Sequence, residues 1–110
     1  MNNCRVLEGR VKPGQLETAM QLAQERLEII RTVSGFLFVQ IMHSGDDFIA
    51  VSSWRNNKDL QAYAESDLAH DLLNSLTPLC VAPPRVRNFD LRLMVESEEV
   101  VLPSDEGGEG

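Results

Sequence analysis

The spacing of apolar residues predicts a strand and a helix at the start of the chain. Arg5–Val11 alternates between two faces, which is typical of a strand. Gly9 within it indicates a bulge or a close approach of another group to the backbone. From Gln15 to about Thr32 apolar residues recur every three or four positions, which predicts an amphipathic helix that ends at Ser34-Gly35.

A hairpin is predicted next. Phe36–His43 is apolar at nearly every position, residues 44–47 carry a turn signal, and Phe48–Trp54 reads as the returning strand. A strand with two apolar faces is typical of a sheet that is covered on both sides. We therefore expect a second covering layer besides the helices.

The second half of the chain predicts two short helices and a last strand. Asn56-Asn57 offers a cap for a helix over Lys58–Ala64, and Ser66 offers one for a helix to about Leu76. Val86–Val95 alternates again, with apolar side chains on one face and polar ones on the other.

The order β-α-β-β-α-β, with the second helix broken in two, is typical of the ferredoxin-like split βαβ fold. This α+β arrangement predicts a four-stranded antiparallel sheet with its helices on one face. The opposite face needs a cover, and a second copy of the chain is the simplest one, because symmetric dimers are the commonest oligomers. We expect a homodimer formed through this sheet face and the C-terminal strand.

Charge is unevenly distributed along the 110 residues, whose net charge is −7. All ten basic residues and 11 of the 17 acidic ones lie in 1–95, which leaves that segment at −1. We assign 1–95 to the folded domain and 96–110 to an acidic tail that is partly disordered. Neither part has the basic patch that nucleic acid or an anionic membrane requires, so neither partner is expected.

No apolar run approaches the roughly 18 residues that span a bilayer, and the N-terminus resembles no export signal. We therefore expect a cytoplasmic protein. Cys4 and Cys80 have no metal-type spacing, which predicts two inert thiols and no metal site.

Several short motifs now occur in a familiar order. They are Val11-Lys12-Pro13-Gly14, Ser34-Gly35-Phe36, Ser53-Trp54, Leu60-Gln61-Ala62-Tyr63, Ser66 to Leu73, and Ala82-Pro83-Pro84. In this order and at these spacings the chain resembles the antibiotic biosynthesis monooxygenase family over about residues 4–95. The resemblance implies a dimeric α+β barrel.

The resemblance also implies a choice of activities. The family includes cofactor-free quinone-forming monooxygenases, haem-degrading monooxygenases and members of unknown activity. The first class leads to our interpretation: an enzyme without a cofactor that oxidises a hydrophobic aromatic or quinol-type molecule in a pocket between sheet and helices. The alternative is a non-enzymatic protein of the same fold that binds a small ligand or serves as a regulatory domain.

Candidate site residues follow from the family resemblance and from the chemistry of the side chains. Trp54 matches the family's characteristic tryptophan and is expected to bind substrate, with a packing anchor as the alternative. Tyr63 is expected to present its phenol to the substrate, or else to bury only its ring. His70 is the candidate general base, or an ordinary surface residue. Phe38 and Arg92 are expected to contact substrate, although the polar face that holds Arg92 also suits a dimer interface.

Two departures from the family pattern bear on these assignments. Similar cofactor-free members use an Asn four residues before the tryptophan and a Tyr six after it, where this chain has Ala50 and Leu60. The haem-degrading branch has a tryptophan at the position of Tyr63, an axial histidine at that of Leu73, and an asparagine at Glu8-Gly9. None of these three roles is filled, so haem degradation is disfavoured.

Overall fold

The computed structural model describes residues 2–99. Within that range it has four strands, three α-helices and one 3₁₀ turn. In chain order these are β1 (Asn3–Arg10), α1 (Leu16–Ile30), β2 (Phe36–Ser44), β3 (Asp47–Trp54), α2 (Asn57–Ala64), α3 (Asp67–Leu76), the 3₁₀ turn (Thr77–Leu79) and β4 (Arg85–Asp90). The two predicted caps are confirmed: the Asn56 side chain accepts a hydrogen bond from the Asp59 N–H at 2.8 Å, and Ser66 accepts one from Ala69 at 3.3 Å.

The strands form one antiparallel sheet in the order β2-β3-β1-β4, which confirms the predicted ferredoxin-like α+β fold. β1 is central, and its register decides which side chains share a face. Arg5 lies opposite Ser52 of β3 and Asn88 of β4, and Leu7 lies opposite Ala50. These side chains point to one face, because partners in register lie on the same side of a sheet.

All three helices cover this inner face and enclose one hydrophobic core. The buried members of the core are Leu7, Val11, Ala19, Ile30, Phe48, Trp54, Leu60, Tyr63, Ala69, Leu72, Leu76 and Cys80. α3 supplies Ala69, Leu72 and Leu76 from a single stripe, as the three- and four-residue spacing of a buried helix face requires.

Gly9 allows a side chain to pass close to β1. A Cβ atom at this position would lie 3.1 Å from two ring atoms of Phe48, the residue opposite it on β3. The predicted close approach is therefore confirmed, and it explains a glycine in the middle of a strand.

The predicted last strand is wrong in its length. It was expected to reach Val95, but β4 ends at Asp90, which pairs with Asn3 at the start of β1. Beyond this pair β1 offers no further partner, so the chain leaves the sheet after one more hydrogen bond, from Leu91 N–H to the Asn2 carbonyl at 2.9 Å. The apolar side chains that follow are exposed, 78% for Leu93 and 83% for Val95.

No helix of residues 2–99 covers the opposite, outer face of the sheet. Its central rows contain Val6 and Val51, with the more exposed Phe38, Met42 and Phe89 on the edge strands. Of the predicted tail 96–110, only residues 96–99 are described and the rest lies outside the described residues. No helix in the described part of the chain is long and apolar enough to cross a membrane.

Candidate active site

An apolar cavity lies between the inner sheet face and the helices. Three of its 17 lining residues carry a charged or hydroxyl group: Arg5, Ser52 and Tyr63. The others are Leu7, Ala19, Met20, Ala23, Leu27, Ile30, Phe36, Val39, Ile41, Phe48, Ala50, Trp54, Leu72 and Leu76. The cavity volume is about 50 Å³, far smaller than the roughly 150 Å³ of an apolar cavity that binds benzene. An aromatic ligand therefore needs the walls to move apart.

Three aromatic rings form one end of the cavity. Trp54 at the end of β3 stacks on Tyr63 of α2, with ring centroids 4.7 Å apart and planes 22° from parallel. Phe36 and Trp54 form a T-shaped pair, with ring centroids 5.4 Å apart and planes 84° apart. Such offset and edge-to-face pairs are the favoured aromatic geometries, so this wall is well ordered before any ligand arrives.

The indole N–H of Trp54 already has a partner within the protein. It donates to Ser52 Oγ at 3.0 Å, and Ser52 in turn donates to the backbone carbonyl of Arg5 at 3.5 Å. This short relay ties β3 to β1 beneath the cavity. A substrate oxygen that used the indole N–H would have to replace Ser52.

Tyr63 brings a phenol to the cavity and is only 5% exposed. Burial raises the pKa of Tyr63, and the nearby Arg5 guanidinium opposes this rise by a smaller amount. The phenol is therefore protonated at neutral pH. Its hydroxyl makes no hydrogen bond to another residue in the range 2–99, so it can donate one to a ligand.

Arg5 is the charged residue of the cavity, and sequence reasoning did not identify it. Its guanidinium carbon lies 5.8 Å from the centroid of the Tyr63 ring. Burial lowers the pKa of Arg5, and the interaction with Tyr63 opposes this more weakly. A guanidinium nonetheless stays charged in proteins. The signal was present, because Arg5 and the inward-facing Leu7 are two residues apart in a predicted strand.

The cavity opens towards a groove between α1 and β2. Five of its lining residues also line this groove: Met20, Leu27, Phe36, Val39 and Ile41. The groove has a volume of about 500 Å³, which is in the size range of ligand sites. The side chains of Met20 and Leu27 line both the cavity and the groove. Because side chains can rotate without a shift of the backbone, their rotation is the simplest way to join the cavity to the groove.

Three of the predicted site residues do not line the cavity. Phe38 lies on the outer face of the sheet and is 46% exposed. A bulge between Phe36 and Phe38 puts these two residues on opposite faces, although the alternation predicted the same face for both. Phe38 borders the groove but not the cavity. His70 is exposed because the stripe of α3 around Ala69 turns inward instead. Arg92 is exposed beyond the end of β4. Of the five predicted residues, the structure brings together Trp54 and Tyr63.

The lining of the cavity contains few groups that bind a metal ion or a haem iron. Residues 2–99 contain no group of three or more His, Cys, Asp or Glu that could hold a metal ion. The lining of the cavity contains neither histidine nor cysteine, two of the common axial ligands of a haem iron. The two cysteines are free thiols; Cys80 is buried, which raises its pKa, and Cys4 is half-buried.

The sheet order and the covering helices define a ferredoxin-like α+β domain with its cavity between the layers. Residues 4–74 match the model of the antibiotic biosynthesis monooxygenase family. The match spans well over half of the chain, so the chain belongs to this family, as its motifs suggested. No curated protein matches the sequence.

Solved structures with low sequence identity share this fold. A conserved protein from Methanosarcina mazei Go1 superposes with a TM-score of 0.75 at 14% identity, covering 84% of this chain and 94% of that one. A protein of unknown function from Nitrosomonas europaea gives 0.71 at 17% identity and covers 87% and 95%. A mutant of SnoaB, a cofactor-independent oxygenase from Streptomyces nogalater, gives 0.75 at 11% identity and covers 87% and 98%.

Proposed function

We propose that this protein is a cofactor-independent monooxygenase that acts on a hydrophobic aromatic or quinol-type small molecule. The observation that carries the proposal is the stacked pair Trp54 and Tyr63 at one end of an otherwise apolar cavity. Membership of the monooxygenase family supports it. A fold shared with a cofactor-independent oxygenase is consistent with it.

The proposed reaction uses the substrate itself as the source of electrons. For a substrate with a methylene group beside a phenol-bearing ring system, O₂ converts the CH₂ group to a carbonyl. Two C–H bonds break and one C=O bond forms. One oxygen atom enters the product, and the other leaves as water with the two hydrogens, so atoms and electrons balance.

The chain's own residues supply position and electrostatics. Apolar walls exclude water from the reacting atoms, and the Trp54–Tyr63 stack holds a planar ring. The neutral phenol of Tyr63 donates a hydrogen bond to oxygen charge that develops on the substrate. No carboxylate or imidazole lines the cavity, and the exposed position of His70 counts against it as a general base, a role that stays a prediction.

We further propose that two copies of the chain associate through the outer sheet face. That face is apolar at its centre, at Val6 and Val51, and residues 2–99 leave it without a helical cover. The extended segment after Asp90 exposes Leu93 and Val95, side chains that a partner chain would bury. This is the interface expected from the sheet pattern and the C-terminal strand.

A non-enzymatic role in binding a small ligand is the second candidate. The observation that favours it is the replacement of two polar positions by Ala50, which lines the cavity, and by the fully buried Leu60. The same cavity would then bind a hydrophobic ligand without oxidising it.

Oxygen consumption separates the two candidates. The purified protein is given a panel of hydroquinones and anthrones in an oxygen electrode, with product analysis. We expect turnover that falls by about tenfold or more in Tyr63→Phe, because one donor to the developing oxyanion is lost. Trp54→Phe should also lower it, whereas Lys58→Met, on the exposed surface of α2, should not. Apolar ligand binding without oxygen uptake by any member of the panel would favour the second candidate.

A further inference from the structure

The inner sheet face carries one arginine, Arg5, that forms no ion pair among residues 2–99, and the proposed reaction does not explain its presence. Five ion pairs occur among residues 2–99, and their arginines are Arg10, Arg26, Arg31, Arg55 and Arg85. Arg5 is in none of them, although it is the arginine that lines the cavity. Its guanidinium therefore faces a largely apolar space without a carboxylate partner.

This arrangement is costly unless a ligand completes it. Arg5 is half-buried, and a cation that is partly removed from water without a counter-charge is unfavourable; the same burial lowers the pKa of Arg5. The guanidinium carries five N–H donors in a planar fork that matches a carboxylate or another oxyanion. Its contact within the described residues is the face of the Tyr63 ring at 5.8 Å, which uses the charge but leaves the donors in the plane of the fork available.

The neighbours of Arg5 complete a polar end to the cavity. Ser52 flanks it in register on β3 and also lines the cavity, whereas its partner on β4, Asn88, is exposed and lies outside the lining. Tyr63 of α2 lines the same cavity, with its ring centroid 5.8 Å from the Arg5 guanidinium carbon. All other lining residues of the cavity are apolar apart from the indole N–H of Trp54, which Ser52 already occupies.

We infer that the ligand of this cavity is a planar aromatic anion whose oxyanion binds Arg5 while its ring system lies against Trp54. Arg5 is then the residue that selects charged over neutral aromatic molecules. The inference rests on the proposed function for the identity of the site and adds the chemical class of the substrate. For a phenolate it also supplies what the cavity lacks, because a reacting phenol that is ionised on arrival needs no base from the lining.

The oxyanion can be a carboxylate or an ionised phenol, because both offer the same acceptor atoms to a guanidinium. An adjacent arginine also favours the ionised form of a bound phenol and lowers its pKa. The two sources are distinguished by their pH dependence, since a carboxylate is ionised throughout the neutral range and a naphthol becomes ionised only at alkaline pH.

The test compares three probes of nearly equal shape by isothermal titration calorimetry: 2-naphthoate, its methyl ester and 2-naphthol. Quenching of Trp54, the only tryptophan, reports that each probe occupies the cavity. We expect naphthoate to bind about tenfold to a hundredfold more tightly than the ester, as a charge-assisted pair provides. Tighter binding of naphthol as the pH rises would identify the phenolate as a further accepted form.

Variants assign this preference to Arg5. Arg5→Met should remove the preference for the acid while the ester binds as well as before or better. Arg5→Lys should keep part of it, because the charge stays and the fork is lost. Lys58→Met, which removes a charge from the exposed surface of α2, should leave both affinities unchanged.

The wild-type comparison of acid and ester stands even if a variant fails to fold. Equal binding of the acid and the ester, without pH-dependent binding of naphthol, would overturn the role of Arg5 and leave the proposed aromatic site standing. A preference for the acid that persists in Arg5→Met would also overturn it. The absence of binding by all three probes would overturn both the inference and the proposed function.

Discussion

The Arg5→Met substitution gives a measurable prediction about stability, because an unpaired cation should destabilise the ligand-free protein. Two effects oppose each other. The cation–π contact with Tyr63 is lost; at 5.8 Å it lies near the outer limit of such contacts and contributes about 0.5–1 kcal/mol. The penalty for desolvating the guanidinium is also lost; full burial costs several kcal/mol, so a partly buried guanidinium costs on the order of 1–3 kcal/mol.

The net expectation is that Arg5→Met stabilises the protein by about 1 kcal/mol, since an unbranched apolar side chain suits an apolar cavity. For a domain of this size that raises Tm by about 4 °C or more. Urea unfolding followed by circular dichroism measures the free energy directly. All variants are compared at one protein concentration, because dimer formation would make stability concentration-dependent.

Two controls and one outcome make this test decisive. Arg5→Lys should be close to wild type because it keeps the charge, and Lys58→Met should change stability by no more than about 0.5 kcal/mol. If Arg5→Met instead loses more than about 1 kcal/mol, the guanidinium is satisfied in the ligand-free protein. The argument that it awaits an anion would then be refuted.

Three further predictions concern other parts of the molecule. Tyr63, the only tyrosine, should ionise above its usual pKa of about 10 in the folded protein, seen as tyrosinate absorbance, and higher still in Arg5→Met. Because burial raises this pKa, the contribution of Tyr63 to folding stability is fully present below a pH of about 10 and declines above it. The decline should be smaller in Tyr63→Phe. Gly9→Ala should cost about 1–3 kcal/mol by overpacking, because its Cβ meets Phe48 at 3.1 Å, and Phe48→Leu should recover part of this in urea unfolding. Val51→Arg should reduce a dimer to a 12.3 kDa species in light scattering, unlike Gln21→Arg on the exposed face of α1.

Each of these predictions has a contrary result. A Tyr63 titration at the usual pKa in the native protein would mean that its hydroxyl is solvated and not enclosed. Equal destabilisation by Gly9→Ala with and without Phe48→Leu would place the strain elsewhere. A wild-type protein that is already monomeric at micromolar concentration would contradict the dimer.

The faces of the strands could be predicted because their period is fixed by the backbone. The predicted alternation of Arg5–Val11 is confirmed, and the same period of two puts Arg5 on the face of Leu7, which the helices cover. Arg5 was nevertheless overlooked, because an arginine near a strand end is usually solvated and the helices that enclose it come from distant parts of the sequence. Tyr63 needed the structure as well, since its direction depends on where α2 begins.

Two other predictions, the length of β4 and the face of Phe38, were wrong for reasons that the hydrophobic pattern does not show. The apolar alternation continues from Phe89 to Val95, but a strand also needs a partner, and β1 begins only at Asn3. At Phe38 a single extra residue in a bulge exchanged the inner and outer faces. Such local insertions change a face without changing the hydrophobic pattern, because β2 is apolar on both sides.

The residues of the cavity suggest why this chain departs from the cofactor-free pattern. At the two positions where similar members use an amide and a phenol, it has Ala50 and Leu60, and its polar groups come instead from Arg5 on β1 and Tyr63 one helical turn later. An amide donates and accepts, so it suits a neutral oxygen that still has to lose a proton. A guanidinium only donates and always carries charge, so it favours an oxygen that is already negative. On the proposed function, a substrate that arrives as a phenolate needs no base from the protein, which is consistent with a cavity whose lining contains no carboxylate or imidazole.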